Sequence, residues 1–156
     1  MKFVIQRVNK ADVSIEGNVC SSINKGLLVF FCAEKDDEKG GTFGGKALNC
    51  QGVLEYYADK ILKLRIFEDV NGKMNRSLLD IGGEILVVSQ FTLAASVKKG
   101  TRPSFDNAME PIAAKKMYEN FIETLKSRGI SVKTGVFAAD MQISLINDGP
   151  VTIILD

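Results

Sequence analysis

The chain has 156 residues, of which 46% are hydrophobic, so it suits one domain that buries about 70% of its unfolded surface. With 20 basic and 19 acidic side chains its net charge is +1, which argues against a general nucleic-acid coat protein. The complete absence of histidine excludes Ser-His-Asp and Cys-His nucleophiles, His-ligated metals and the usual general base near neutral pH. Any catalysis has to use carboxylates, lysine, backbone groups or the substrate itself.

Cysteine usage and hydropathy set further limits. Cys20, Cys32 and Cys50 are odd in number and widely spaced, so neither a disulfide framework nor a zinc site is indicated, and no metal or nucleotide cofactor is expected. No apolar run approaches the roughly 20 residues of a membrane span, and Met1 leads into a strand pattern rather than a signal peptide. We therefore expect a cytoplasmic protein with no membrane partner.

The first third of the chain predicts strands. Phe3–Val8 is a strand pattern that contains a charged Arg7, which requires either a carboxylate or a row of carbonyls as acceptors. Val13–Val19 alternates and turns at Gly17-Asn18, as in a hairpin, and Leu27–Ala33 is a fully apolar strand.

The middle of the chain is less regular. Residues 40–55 contain five glycines and predict a flexible, glycine-rich insertion or an interrupted helix start. A helical period then predicts a helix over Tyr56–Phe67, and Asp69–Lys73 supplies a turn.

Ile85–Leu93 begins as a buried strand and then changes character. Its first half is continuously apolar, as in a central strand covered on both faces. Ser89, Gln90 and Thr92 follow at the strand's end, where their side chains have to pair with neighbours, face solvent or turn toward a ligand.

The next segment, 94–105, carries Lys98, Lys99 and Arg102 with no acid among them. An exposed loop and a phosphate-binding loop fit this pattern equally well, and its position directly after Thr92 favours phosphate. The rest of the chain predicts a helix over Pro111–Gly129 and strands at Ser131–Phe137, Met141–Ile146 and Val151–Leu155.

Gly149-Pro150 lies between the last two of these predicted strands. Proline cannot donate a ladder hydrogen bond, so it belongs at an edge or a bulge. A trans turn fits, because only about 5% of X-Pro bonds in folded proteins are cis. A rigid corner whose carbonyls point outward fits as well.

Two separated motifs carry a resemblance to a known family. Ser89-Gln90-Phe91-Thr92 together with Asn147-Asp148-Gly149-Pro150-Val151-Thr152 resembles the signature of the D-aminoacyl-tRNA deacylases. The similarity continues through four further blocks in the same order, at residues 4–8, 72–75, 99–105 and 137–141. It covers nearly the whole chain as one domain, 1–156, and departs from the family's compact helix at about 40–55.

The resemblance implies a mixed α/β fold and a homodimer. A curved mixed sheet or partial barrel carries helices on its outer side and is completed at the dimer interface. Gly149-Pro150 is then cis and projects into the partner's pocket, Arg7 holds this corner in place, and Asn147 and Thr152 support the motif.

The resemblance also implies an activity without metal or cofactor: hydrolysis of D-aminoacyl-tRNA, and in part of glycyl-tRNA, as chirality proofreading in translation. The catalytic pocket for the tRNA 3′ end would be lined by Ser89, Gln90, Phe91 and Thr92. Phe137 and Met141 would form its wall, while Lys98, Lys99 and Arg102 would contact tRNA phosphates.

The mechanism follows from what the chain lacks. An aminoacyl ester is already reactive, so backbone N–H groups near Gln90 and Phe91 could suffice as an oxyanion hole. Thr92 has no histidine to activate it, and the family interpretation prefers water assisted by the ribose 2′-hydroxyl. The carbonyls of Gly149 and Pro150 would accept the α-ammonium group and leave no room for an L side chain.

Two alternatives remain open at this stage. A hydrolase of another activated ester would leave the basic loop unexplained. A non-catalytic module that binds aminoacyl-tRNA ends, or that only dimerises, would bind without turnover. No DNA partner is expected.

Overall fold

The fold combines one large sheet with three helices, and the computed structural model describes residues 1–98 and 100–156. The strands are β1 (Lys2–Ile15), β2 (Asn18–Ile23), β3 (Gly26–Cys32), β4 (Gly41–Phe43), β5 (Lys46–Leu48), β6 (Phe67–Glu68), β7 (Met74–Arg76), β8 (Glu84–Ser89), β9 (Val132–Thr134) and β10 (Gln142–Leu155). The helices are α1 (Cys50–Lys63), α2 (Leu78–Ile81) and α3 (Pro111–Lys126).

The large sheet is mixed and curved. Its strand order is β10-β1-β3-β8-β9, with β2 paired to β1. β1 is antiparallel to β10, β2 and β3, whereas β3, β8 and β9 are parallel. The sheet curves into a nearly closed, barrel-like shape, which confirms the predicted fold class.

Each face of this sheet covers a core of its own. On the helix side, Phe3, Ile5 and Phe31 pack against Tyr57 and Phe121 of α1 and α3. On the inner side, the second half of β1 packs with β3 and β8 in a smaller cluster, made of Val8, Ala11, Val13, Ile23, Leu28, Leu86 and Val88. Because β3 and β8 are covered on both faces, their sequences are continuously apolar.

The glycine-rich residues 40–55 form a hairpin and a helix start. Gly44 and Gly45 have φ values of 57° and 78°, as a two-residue type I′ turn requires, and they join β4 to β5. Asn49 then caps α1 by accepting a hydrogen bond from the Gly52 N–H (2.8 Å). The expectation of a flexible stretch or an interrupted helix start was therefore wrong, and α1 begins and ends several residues before the predicted Tyr56–Phe67.

Three other boundaries differ from the sequence predictions. β1 continues to Ile15 instead of ending at Val8, and α3 ends at Lys126, before Gly129 with its φ of 75°. β9 covers Val132–Thr134, a fraction of the predicted strand. None of the helices in the described ranges is long and apolar enough to cross a membrane.

The last strand contains the Gly149-Pro150 step instead of ending before it. β10 is continuous from Gln142 to Leu155, where two strands were predicted. Gln6 pairs with Thr152 and Val8 pairs with Asn147, so residues 148–151 all lie opposite a single β1 residue. The extra residues form a wide bulge, which is how a sheet accommodates a proline in a strand.

Candidate active site

A cavity of about 650 Å³ lies between the end of β8, the start of α3 and the segment before β10. Ser89, Gln90 and Phe91 of the first motif line it, and so do Phe137 and Met141. The structure thus brings together five of the residues expected at the site. Its other walls include Phe31, Cys32, Phe105, Met109, Glu110, Ala114 and Asp140.

The first motif is shaped by the end of a strand. β8 ends at Ser89, and the chain turns at Gln90 into a short 3-10 helix over Phe91–Ala94. The Gln90 N–H donates to the Phe31 carbonyl (2.7 Å), and the Gln90 side chain donates to Thr92 Oγ1 (2.5 Å). The Thr92 hydroxyl thus accepts a hydrogen bond from the Gln90 side chain, and Thr92 itself does not line the cavity.

Two backbone N–H groups at this turn have no partner among the described residues, and one of them belongs to the cavity-lining Phe91. The first N–H groups of a 3-10 helix have no partner within the helix. Among the hydrogen bonds of the described residues, neither the Phe91 nor the Thr92 N–H donates to another group. The Gln90 N–H is already bonded to the Phe31 carbonyl, so it is not free for a ligand.

The rim of the cavity is aromatic. Phe91 is 56% exposed and meets Phe105 edge-on, with ring centroids 5.0 Å apart. Phe105 belongs to the segment identified in the sequence as basic, but its place at the site was not predicted. An exposed aromatic pair at a pocket mouth is a surface on which a nucleic-acid base can stack.

The Cys32 thiol in the cavity wall is not a nucleophile. Its Sγ lies 3.6 Å from the Phe91 carbonyl oxygen, and burial raises its pKa to about 11. The thiolate is the reactive form of cysteine, so Cys32 stays protonated and unreactive at neutral pH.

The cavity wall that contains Phe137 and Met141 is shaped by a tight turn. The Ala139 N–H donates to the Val136 carbonyl (3.2 Å), and Ala138, at the third position of this turn, has a φ of 62°. A positive φ at that position is typical of a type II turn, which usually has glycine there. The turn presents Phe137 to the cavity, and Gly135 leaves room for Met141, whose Sδ would lie 2.8 Å from an added Cβ.

The second motif contains the cis peptide bond that the resemblance implies, between Gly149 and Pro150. Arg7, only 5% exposed, faces this corner. Its Nε lies 3.1 Å from both the main-chain oxygen and a carboxylate oxygen of Asp148, and its Nη1 donates to the Ile66 carbonyl (2.5 Å). Arg7 therefore has both a carboxylate and backbone carbonyls as acceptors, the two kinds that the sequence analysis considered.

Asn147 and Thr152 connect the two ends of the corner. Asn147 Oδ1 accepts a hydrogen bond from the Val151 N–H (3.1 Å), and its Nδ2 donates to Thr152 Oγ1 (3.1 Å). Gln6 on β1 also donates to Thr152 Oγ1 (3.2 Å). These bonds, with those of Arg7, hold the Gly149-Pro150 corner rigidly on the sheet.

The two motifs do not meet within one chain. β1 and β3 lie between β10, which carries Gly149 and Pro150, and β8, which ends at Ser89. Gly149 and Pro150 are exposed and do not line the cavity. The two motifs therefore lie apart within one protomer.

The basic segment leads directly to the rim. Ser96 and Ser104 exchange two backbone hydrogen bonds (2.8 and 2.9 Å), which close the loop just before Phe105. Lys98 and Arg102 are exposed in this loop, whereas Lys99 lies outside the described residues. Across the described ranges, no group of three histidine, cysteine or acidic residues is placed to hold a metal ion.

Comparison with known proteins gives a consistent family. The family model described as D-Tyr-tRNA(Tyr) deacylase matches residues 4–156. The D-aminoacyl-tRNA deacylase of Thermodesulfovibrio yellowstonii is 53% identical over 153 residues, covering 98% of this chain and 97% of that protein. The protein of the same name from Aquifex aeolicus is 51% identical over 156 residues, covering 100% and 97%.

Two solved structures share the fold. One, named c-Myc DNA Unwinding Element Binding Protein, has a TM-score of 0.86 and 41% identity, and the match covers 100% of this chain and 98% of that one. The other is described as "a probable eukaryotic D-amino acid tRNA deacylase", with a TM-score of 0.81, 16% identity and coverage of 99% and 97%.

Proposed function

The chain belongs to the D-Tyr-tRNA(Tyr) deacylase family, and we propose that it hydrolyses D-aminoacyl-tRNA in the cytoplasm as a proofreading step of translation. The observation that carries the proposal is the cavity at the end of β8, which is lined by Ser89, Gln90 and Phe91 and where the Phe91 N–H has no partner among the described residues. Such a site suits an ester whose carbonyl oxygen gains negative charge during the reaction.

In the proposed reaction, water adds to the ester carbonyl carbon and the bond to the ribose 3′-oxygen breaks. One proton of the water goes to the 3′-oxygen, the other is released to solvent, and the amino acid leaves as its carboxylate. The Phe91 N–H would stabilise the oxyanion, and one such donor is typically worth about 3–4 kcal/mol. The sequence has no histidine and the Cys32 thiol is protonated, so the protein positions the substrate and the ribose 2′-hydroxyl assists the water.

Chirality would be controlled by the Gly149-Pro150 corner. Its carbonyl oxygens would accept the α-ammonium group of a D-aminoacyl ester, and an L side chain would collide with the same wall. Rejection by collision suits this task, because a rigid clash costs more than one contact gains. The bonds from Arg7 and Asn147 give the corner the rigidity that such a wall needs. Glycine has no side chain, so glycyl-tRNA would pass this filter in part.

The corner would act in the partner's pocket of a homodimer. In one chain it is exposed and does not line the cavity, so the cavity lacks this wall until a second copy supplies it. In a twofold dimer each protomer would place its Gly149-Pro150 corner in the cavity of its partner, which makes two equivalent sites.

Complementation tests this arrangement. Gln90→Ala would disable a protomer's pocket, and Pro150→Ala would disable the corner it gives to its partner. If the corner acts across the interface, co-expressed Gln90→Ala and Pro150→Ala chains recover about a quarter of wild-type activity, because half of the dimers contain one intact site. If the corner acts within its own chain, no mixture recovers activity.

The aromatic rim and basic loop fit the end of a tRNA. Phe91 and Phe105 would stack on a base, while Lys98 and Arg102, with Lys99 between them in sequence, would neutralise phosphates. Phosphate contacts make affinity fall with salt, so KM should rise between low and physiological salt. An esterase acting on a small substrate would lack this dependence.

The direct test is deacylation of matched D- and L-aminoacyl-tRNA by purified protein, at two salt concentrations and with a chelator. We expect chelator-insensitive hydrolysis of the D form and little of the L form. Equal hydrolysis of both would remove the chiral wall. Stoichiometric binding without turnover would instead indicate a binding module.

A further inference from the structure

A buried hydroxyl behind the cavity connects three of its walls. Tyr118 on α3 is 4% exposed and does not line the cavity. Its hydroxyl donates to the Val87 carbonyl (2.8 Å), one of the few side-chain bonds in the described residues that is fully buried. The Val87 carbonyl also accepts the Gly135 N–H (3.0 Å). One oxygen thus joins α3, β8 and the segment that leads to Phe137.

Phe137 is partly buried against the core and also borders a second open space. A groove of about 340 Å³ lies behind it, bounded by α3 and by residues 134–137, so Phe137 is the partition between two open spaces. The Tyr118 ring meets the Phe137 ring at a centroid distance of 6.0 Å, and it lies at the same distance from Phe31. Without a fixed Tyr118, Phe137 could move into the groove, because the space behind it is not filled.

We propose that Tyr118 is a positioning residue that holds Phe137 against the cavity by tying α3 and the Gly135 segment to the Val87 carbonyl. The inference rests on the proposed function, since it takes Phe137 as a wall for the tRNA's terminal nucleotide. Burial keeps the phenol neutral by raising its pKa, so the hydroxyl remains a donor throughout the pH range of an assay.

The test is Tyr118→Phe, which removes the hydroxyl and keeps the ring. If Phe137 acts only as a binding wall for the terminal nucleotide, its displacement should raise KM and leave kcat unchanged. We expect KM for D-tyrosyl-tRNA to rise, by up to about fivefold where binding has to restore the Phe137 position that one buried hydrogen bond otherwise maintains. Unchanged KM would overturn the proposal.

A matched control separates positioning from simple stability. Thr124 is also a buried hydroxyl on α3, donating to the Asn120 carbonyl (2.8 Å) and accepting from Gln51 (3.2 Å), far along the helix from the cavity. Thr124→Val should lower Tm by about 3 °C, as much as Tyr118→Phe, without altering KM. If both variants raise KM equally, Tyr118 has only a structural role.

A double-mutant cycle tests the route through Phe137. If Tyr118 acts through that ring, adding Tyr118→Phe to Phe137→Ala should change KM no further, whereas additive effects would refute the coupling. Dissociation constants for D-tyrosyl-tRNA with a non-hydrolysable 3′-amide link should change by the same ratio. If the wild type binds this analogue but does not hydrolyse the ester, the proposed function fails while the positioning role is still measured.

Discussion

Replacing Gly149 by alanine should disturb the Gly-Pro corner strongly. Gly149 has a φ of 120°, in the region where side chains are rarely found. A Cβ there would lie 2.8 Å from Arg7 Nη2 and 2.9 Å from Val151 Cγ2. Arg7 cannot turn aside without leaving Asp148 or Ile66, because its other nitrogens are bonded to them.

Two effects should lower the free energy of unfolding of the Gly149→Ala variant. A residue held in a sparsely populated backbone region costs about 1–3 kcal/mol, and forcing an added carbon into a packed site costs about 1–3 kcal/mol more. We therefore expect Gly149→Ala to lower the free energy of unfolding by about 4 kcal/mol. At about 2–4 °C per kcal/mol for a chain of this size, Tm should fall by about 12 °C.

Gly129→Ala is the matched control. Gly129 also has a positive φ (75°), but nothing lies within 4 Å of an added Cβ, so it carries the backbone cost without the collision. We expect a loss of about 1 kcal/mol by urea unfolding and unchanged deacylation. If Gly149→Ala costs no more than Gly129→Ala and retains full D-aminoacyl-tRNA hydrolysis, the argument for a rigidly packed corner is wrong.

Three further substitutions test other parts of the site. Thr92→Ala should keep at least about a tenth of the wild-type rate, because Thr92 only supports Gln90, whereas a rate loss of about 10⁴ or more would indicate a nucleophile. Ala138→Gly should raise the free energy of unfolding, measured in urea, by about 0.5–1 kcal/mol, because relief of the left-handed backbone strain exceeds the entropy cost of glycine. A destabilised variant would show instead that packing of the Ala138 methyl group stabilises the fold. Arg7→Lys should lower stability by about 2 kcal/mol and reduce deacylation, because an ammonium cannot span Asp148 and Ile66; wild-type values in both assays would show that the fork is dispensable.

The sequence predicted features that depend on local chemistry. The apolar run before Ser89 identified a strand covered on both faces, and the lone charge of Arg7 demanded the acceptors that the structure supplies. The family signature implied the cis bond at Gly149-Pro150, which composition and spacing alone left open. Each of these predictions rests on a residue whose chemical requirements can be recognised from the sequence alone.

Features that depend on tertiary contacts were missed. Phe105, Glu110 and Ala114 reach the cavity because a loop and a helix end happen to cross the end of β8, and nothing in their own segments indicates this. The start of α1 was obscured because a single asparagine cap among glycines is a weak signal. The sequence also could not show that the Gln90 N–H is unavailable to a ligand, because it bonds to Phe31, a partner about 60 residues away.

The pairing of β1 with β10 also determines when the corner can form during synthesis. Arg7 and Asp148 are separated by 141 positions in sequence. At about 5–20 residues per second, a ribosome adds Asp148 about 7–28 seconds after Arg7. Throughout that interval the guanidinium lacks its acceptors on β10 and one edge of β1 is open. The second motif is therefore assembled after translation has passed it, and a nascent chain truncated before residue 147 should expose this edge to chaperones or to other chains.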